Sequence, residues 1–308
     1  MYSVLHMHFE SALRVARQAH PERLAEIQAV YESPRFAGLT PAERLTLLWS
    51  TAVSLTDGEN IFTEAMFRAI VRDALEELRS EEVEHVDLRI GPSVGRWGWM
   101  RTAADGIDVF REELVARPGV SVAFVAGVSM IKSEHDLDAV FDAIEQEGEL
   151  QKRIVGVDVD FYADDLAKFD RYVGTMLNLQ SGGMKLNIHL GELFSNEVSR
   201  YVLSRLIPDR IGHGVRLLDN PELVALLRDR QVCLDMCPTS NCRLGVHDWR
   251  RGSPASRALA LGLPVSINTD DPILLGARIA AEYILAGLTD RERENVLRFS
   301  RQHRYAGK

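Results

Sequence analysis

Ile188-His189-Leu190-Gly191-Glu192 closes an apolar run with an imidazole and a carboxylate three residues apart. Upstream, Met184, Leu186 and Ile188 alternate with Lys185, Asn187 and His189, and a period of two is that of a strand with one face buried. Gly191 allows a tight turn at the end of that strand. His189 therefore occupies the strand's last position and Glu192 lies just past it. A His-x-x-Glu spacing alone is more often structural than catalytic, so its meaning depends on what the rest of the chain brings beside it.

Working outward, the same kind of apolar run recurs between helical segments. Strand one is read as Val4–Phe9, strand two as Val86–Ile90, strand three as Val120–Val128 and strand four as Ile154–Val159. The opening stretch is strand five. Arg210–Gly214, Val232–Met236 and Pro264–Thr269 supply strands six to eight. Between strands one and two, residues 12 to about 80 read as helical: Thr40-Pro41-Ala42-Glu43 is a capping box with a first-turn proline, and Phe62–Leu78 keeps apolar residues at three- and four-residue spacing. Gly58 marks a turn there. Further helices are expected around Leu137–Ile144, from Asn196 to Leu206, after the Asn220-Pro221 cap, across Ile273–Ala286 and from the Thr289–Glu292 capping box onward. Eight strands alternating with helices predict an α/β fold, a TIM-like (β/α)8 barrel with a helical insertion after strand one, and a single domain spanning residues 1–308.

Composition narrows the partners. The 308 residues carry a net charge of −9, against the basic field that a nucleic-acid polymer or an anionic membrane requires. A small-molecule substrate fits better. No stretch approaches the ~20 apolar residues of a membrane span, and Met1–Glu10 has no basic n-region, so a cytoplasmic protein is expected. Cys233, Cys237 and Cys242 match no common zinc-knuckle spacing and read as reduced thiols that are not ligands.

Chemistry-bearing side chains concentrate at strand ends. His6 and His8 are two residues apart on strand one and must share a face; such a pair chelates, although a chance pairing or a tag remnant would look the same. His189, His213, Asp270 and Asp271 close strands five, six and eight, on the face where barrel enzymes keep their active sites. By type and placement, His6, His8, His189 and Asp270 form a ligand set for a divalent metal such as zinc with a position left for water. Asp271 and His213 can orient and deprotonate that water, and Glu192 can give a proton to the substrate atom that gathers charge. This describes hydrolytic attack on a C=N or C=O centre. Trp97 and Trp99, in the loop after strand two, either stack on a planar ligand or pack that loop onto the barrel. Cys237-Pro238-Thr239-Ser240-Asn241 reads as a proline-containing turn closing strand seven.

His6-Met7-His8, His189-Leu190-Gly191-Glu192, Arg210-Ile211-Gly212-His213-Gly214, Cys237–Asn241 and Asn268-Thr269-Asp270-Asp271-Pro272, in this order, resemble the adenosine deaminase family of the amidohydrolase superfamily. The resemblance implies one zinc per chain on His6, His8, His189 and Asp270, ring-nitrogen protonation by Glu192, and water activation by His213 and Asp271. Attack would fall on C6 of a 6-aminopurine base, nucleoside or derivative, releasing ammonia. Three positions depart from the family's pattern. Phe9-Glu10-Ser11 replaces the usual Leu followed by Asp-Gly or Glu-Gly, and Glu10 is more similar to members that act on free adenine or other 6-aminopurine derivatives than to those in which Asp goes with the ribose hydroxyl. Phe161 stands where a glycine approaches the purine, and Leu190 where alanine is usual. Glu10, Phe161, Gly191, Trp97 and Trp99 are accordingly the expected substrate-binding residues. Deamination of another fused amino-heterocycle or a modified adenosine, or a metal-binding barrel without turnover, is the alternative to be tested.

Overall fold

Parallel strands can be joined only through crossover connections of a dozen or more residues, and the helices between the apolar runs supply them. The computed structural model describes residues 2–4, 29–30, 32–54, 63–91, 100, 102–130, 134–146, 148–160, 166–270 and 275–305. Its strands are β1 (Tyr2–Val4), β2 (His85–Ile90), β3 (Ser121–Ser129), β4 (Ile154–Asp160), β5 (Lys185–Leu190), β6 (Arg210–His213), β7 (Cys233–Met236) and β8 (Val265–Ile267). They form one sheet in sequence order, every neighbouring pair parallel. This is the TIM-like α/β architecture expected from the alternation of elements.

Between β1 and β2 lie helices Pro34–Ala37, Pro41–Ser54 and Glu64–Ser80, the expected insertion. Its predicted capping box forms: Thr40 N–H donates to Glu43 Oε2 at 2.8 Å and Glu43 N–H to Thr40 Oγ1 at 3.4 Å. Asn220 caps helix Pro221–Asp229, and the Thr289–Glu292 box opens helix Asp290–His303. Most strand limits differ from the sequence reading by a residue or two. Two differences are larger. The segment after β7 is helix Pro238–Leu244 rather than a turn, because Pro238 at the first helical position is preorganised for a helix instead of ending one. The helix expected across Ile273–Ala286 is interrupted: Leu275 is helical, residues 276–278 are not, and helix resumes over Ile279–Ala286, while residues 271–274 lie outside the described residues. Expected strand one continued through His6, His8 and Phe9, which lie outside the described residues, as do Gly58 and the tryptophans of the loop after β2.

Side chains that meet from strands not adjacent in the sheet show where its interior lies. Arg210 of β6 ion-pairs with Asp87 of β2 and with Asp235 of the neighbouring β7. All three are buried. Asp235 also accepts from Ser266 Oγ of β8 at 2.6 Å, Asp87 accepts from the Tyr305 backbone N–H at 3.2 Å, and the Tyr305 ring lies 4.9 Å from the Arg210 guanidinium carbon. The segment after the last helix thus covers a buried charge layer at the N-terminal ends of the strands. Burial of Asp87 opposes its ionisation, but Arg210 and His85 overcome that cost and hold its carboxyl below the usual range. Replacing Arg210 with Leu would strand two buried carboxylates. The expected loss is about 3–5 kcal/mol in urea unfolding, whereas Arg200→Leu, which breaks only the exposed Arg200–Glu222 pair, should change stability by about 1 kcal/mol or less.

Candidate active site

A second charged layer lies closer to the C-terminal ends of the strands. On β4, Asp158 and Asp160 are two residues apart and so share a face, and both are buried. Arg89 of β2 reaches them: its Nε lies 3.3 Å from Asp158 Oδ2 and its Nη2 donates to Asp160 Oδ2 at 2.6 Å. Asp158 Oδ1 also accepts from Asn187 Nδ2 at 3.1 Å and meets His189 Nε2 at 3.1 Å. Burial pushes Asp158 up, yet His189 and Arg89 bring it to about 2. His189 shows the converse: burial pulls it down, and Asp158 raises it to about 9. Asp158 therefore fixes the ring of His189 through one nitrogen. A carboxylate behind an imidazole in this way is the usual arrangement for a metal-ligating histidine.

The backbone at the rim is shaped for these contacts. In the β5–β6 register His189 faces Gly212, where a Cβ would come within 2.8 Å of His189 Cδ2. Gly191 turns at φ +68°, and its carbonyl accepts from Arg216 N–H at 2.9 Å, which ties the ends of β5 and β6 together. Neither His213 at φ +66° nor Asp270 at φ +59° is a glycine. Two functional candidates in the left-handed region mark strain held by the surrounding structure, and such strain clusters at active sites.

At this rim His213 Nε2 lies 3.3 Å from Glu192 Oε2, and the rings of His189 and His213 meet edge-on with centroids 5.1 Å apart. Glu192 is buried; burial, then the neighbouring Asp270, lift its carboxyl to about 8. Burial also depresses His213 to about 4, although Asp270 opposes this. At neutral pH Glu192 holds a proton and His213 is an uncharged imidazole able to take one. An acid and a base of separated pKa side by side can move protons on and off one reacting group.

Donor chemistry suits a cation. Ligand atoms of His189, Glu192 and His213 lie within 4.8 Å of one another, and so do those of His213, Cys237 and Asp270. The structure thus brings together His189, Glu192, His213 and Asp270 from three strand ends, as the sequence implied. The other expected ligands, His6 and His8, lie outside the described residues, as do Asp271 and the expected substrate contacts Glu10, Trp97, Trp99 and Phe161. Cys237 lies beside the site, where burial and then Asp270 raise its thiol well above the usual range.

Sequence reasoning missed the residues that hold this group. Asp158, Asp160 and Arg89 carried a legible signal: charges at alternate positions within otherwise apolar strands. Asn241 stood in the Cys237–Asn241 motif, read as a turn at the mouth of the barrel, but nothing there pointed to His213 as its partner. Its side-chain amide lies 3.2 Å from His213 Nδ1 because residues 238–244 coil into a helix, whose Thr239 N–H is received by Glu282 Oε2 at 2.8 Å.

A model of the adenosine deaminase family matches residues 53–302. A putative adenosine/adenine deaminase from Streptomyces coelicolor is 30% identical over 96% of this chain and 89% of its own length. Among solved structures, an adenine deaminase from Arthrobacter aurescens superposes with a TM-score of 0.78 at 22% identity, covering 97% of this chain and 90% of that one. An amidohydrolase from Burkholderia ambifaria with bound zinc superposes with a TM-score of 0.68 at 19% identity, covering 83% and 74%. Among the described residues no helix is long and apolar enough to cross a membrane.

Two consequences of the site geometry can be measured on the metal-free protein. Carbon-13 NMR of the Glu192 carboxyl should show it protonated below and ionised above about pH 8; a midpoint near 4.3 would mean the group is solvated. Gly212→Ala should displace the His189 ring and lower stability by about 1–3 kcal/mol in thermal unfolding, with the largest imidazole shift at His189.

Proposed function

We propose that this chain, which belongs to the adenosine deaminase family, uses zinc and water to remove the amino group of a 6-aminopurine base, nucleoside or derivative. Family membership makes it a hydrolytic purine deaminase. The observation that carries the residue roles is the buried Glu192–His213 pair, 3.3 Å apart at the strand ends, where burial raises the carboxyl and lowers the imidazole.

In this reading Glu192 donates its proton to the ring nitrogen beside the amino-bearing carbon, which makes that carbon electrophilic. His213, with Asp271, orients the attacking water and takes a proton from it. Oxygen bonds to the carbon, the carbon–amine bond breaks, and the amine leaves as ammonia with the proton His213 returns, while the remaining O–H proton passes to Glu192 as the carbonyl forms, which restores both groups. Burial of both groups keeps bulk water from levelling their pKa values. Zinc, held by His6, His8, His189 and Asp270, would supply Lewis-acid activation of the water. The nitrogen and oxygen donors gathered around His213, and the Asp158 carboxylate behind His189, support that fit. Gly191, Glu10, Phe161, Trp97 and Trp99 are assigned to the pocket wall from the sequence pattern.

The test is ammonia release by metal-loaded protein from adenine, adenosine, 5′-substituted adenosines and other fused amino-heterocycles. Absence of ammonia throughout, with metal bound, would leave the binding-protein alternative. Glu192→Gln should keep its metal and lose about 10²- to 10⁴-fold in kcat/KM. His213→Ala should lose activity to a similar degree and also keep metal; loss of metal there would make His213 a ligand instead of a base.

A further inference from the structure

His213 meets a neighbour at each ring nitrogen. Nε2 lies 3.3 Å from Glu192 Oε2, and Nδ1 lies 3.2 Å from the side-chain nitrogen of Asn241. A neutral imidazole carries a single proton, on one nitrogen or the other. Only a ring protonated on Nδ1 leaves Nε2 a lone pair with which to take a proton from water. The Asn241 nitrogen is a donor, so the ring nitrogen facing it must accept and the ring proton must sit on Nε2. In that tautomer His213 cannot serve as the base.

Asn241 can resolve this without moving its backbone. Both residues are buried, and the Asn241 main chain is fixed on either side: its N–H donates to the Cys237 carbonyl at 2.9 Å and its carbonyl accepts from Val246 N–H at 2.8 Å. Its side-chain Oδ1 is buried without a hydrogen-bond partner among the described residues. Ser240 Oγ and Thr269 Oγ1 share that lack, but Oδ1 belongs to an amide that already lies against the His213 ring. A half-turn about the last side-chain bond exchanges oxygen and nitrogen within the same volume. Oδ1 then accepts from Nδ1–H. Either orientation leaves one end of the amide without a protein partner, so the two differ little in the hydrogen bonds they make and entirely in where they put the ring proton. A third group that holds a catalytic imidazole in one tautomer is a recurring part of general-base sites. Resting on the reading of His213 as the base, we propose that Asn241 is a positioning residue that sets the His213 tautomer, its Oδ1 accepting the Nδ1–H so that Nε2 is free to face the water.

Nitrogen-15 NMR of histidine-labelled, zinc-loaded protein reads the tautomer directly, because protonated and unprotonated ring nitrogens resonate far apart; the His213 signals are assigned by their loss in His213→Gln. Wild type should carry its ring proton on Nδ1 at neutral pH. In Asn241→Leu, which removes the amide, the Nε2-protonated ring should appear, and kcat should fall about 10- to 100-fold with KM little changed. Asn241→Asp, whose carboxylate can only accept, should return the proton to Nδ1 and recover most of kcat. A wild-type ring protonated on Nε2 would overturn the proposal, and that result needs no variant to fold. An Asn241→Leu ring still protonated on Nδ1 would overturn it too, leaving Asn241 as packing for the helix that carries it. A wild-type ring with Nδ1–H in a protein that releases no ammonia from any aminopurine would count against the deaminase reading alone, and the tautomer assignment would stand.

Discussion

Asp158 shared among Arg89, Asn187 and His189 is the contact on which the order of the site depends. A buried carboxylate is tolerated only when its charge is matched and its lone pairs are filled. Here the matching groups come from β2 and β5, on either side of β4 in the sheet, and one of them is the candidate metal-binding histidine. Orientation of His189 is therefore tied to the packing of the barrel interior. A loop could hold the same residue only loosely.

The interior is organised as stacked layers of charge. Nearest the N-terminal strand ends, Arg210 is matched by Asp87 and Asp235 and covered by Tyr305. Above it, Arg89 is matched by Asp158 and Asp160. At the rim, burial and then the charge of Asp270 raise the pKa of Glu192 against the opposing charges of His189 and Arg216. The lower layers have their charges matched within the protein, and the rim is left with donors and a proton to offer. That division separates the groups that stabilise the fold from those available to a cation and a substrate.

Strain follows the same division. Gly191 adopts its left-handed backbone freely, whereas His213 and Asp270 adopt theirs at a cost that the sheet beneath them must hold. The strand ends therefore turn sharply while the strands below remain regular. His213 is further steadied by Asn241, at the far end of a connection that starts from the backbone N–H of Thr239 and the buried carboxylate of Glu282.

The alternation of apolar runs with helical periodicities determined the fold class, and the caps at Thr40, Asn220 and Thr289 are local enough to be read directly. His189, Glu192, His213 and Asp270 were legible as site residues because they end apolar strands, and a parallel sheet brings all such ends to one side. Tertiary structure decided their partners. Asp158 meets Arg89 across an intervening strand, and Asn241 reaches His213 only once residues 238–244 have coiled. The pKa separation of Glu192 and His213 was also beyond the sequence, because it arises from burial and from charges that come close only after folding. Sequence records which groups are present and which way a strand alternates; the distances between charges, and the water removed from around them, exist only in the folded chain.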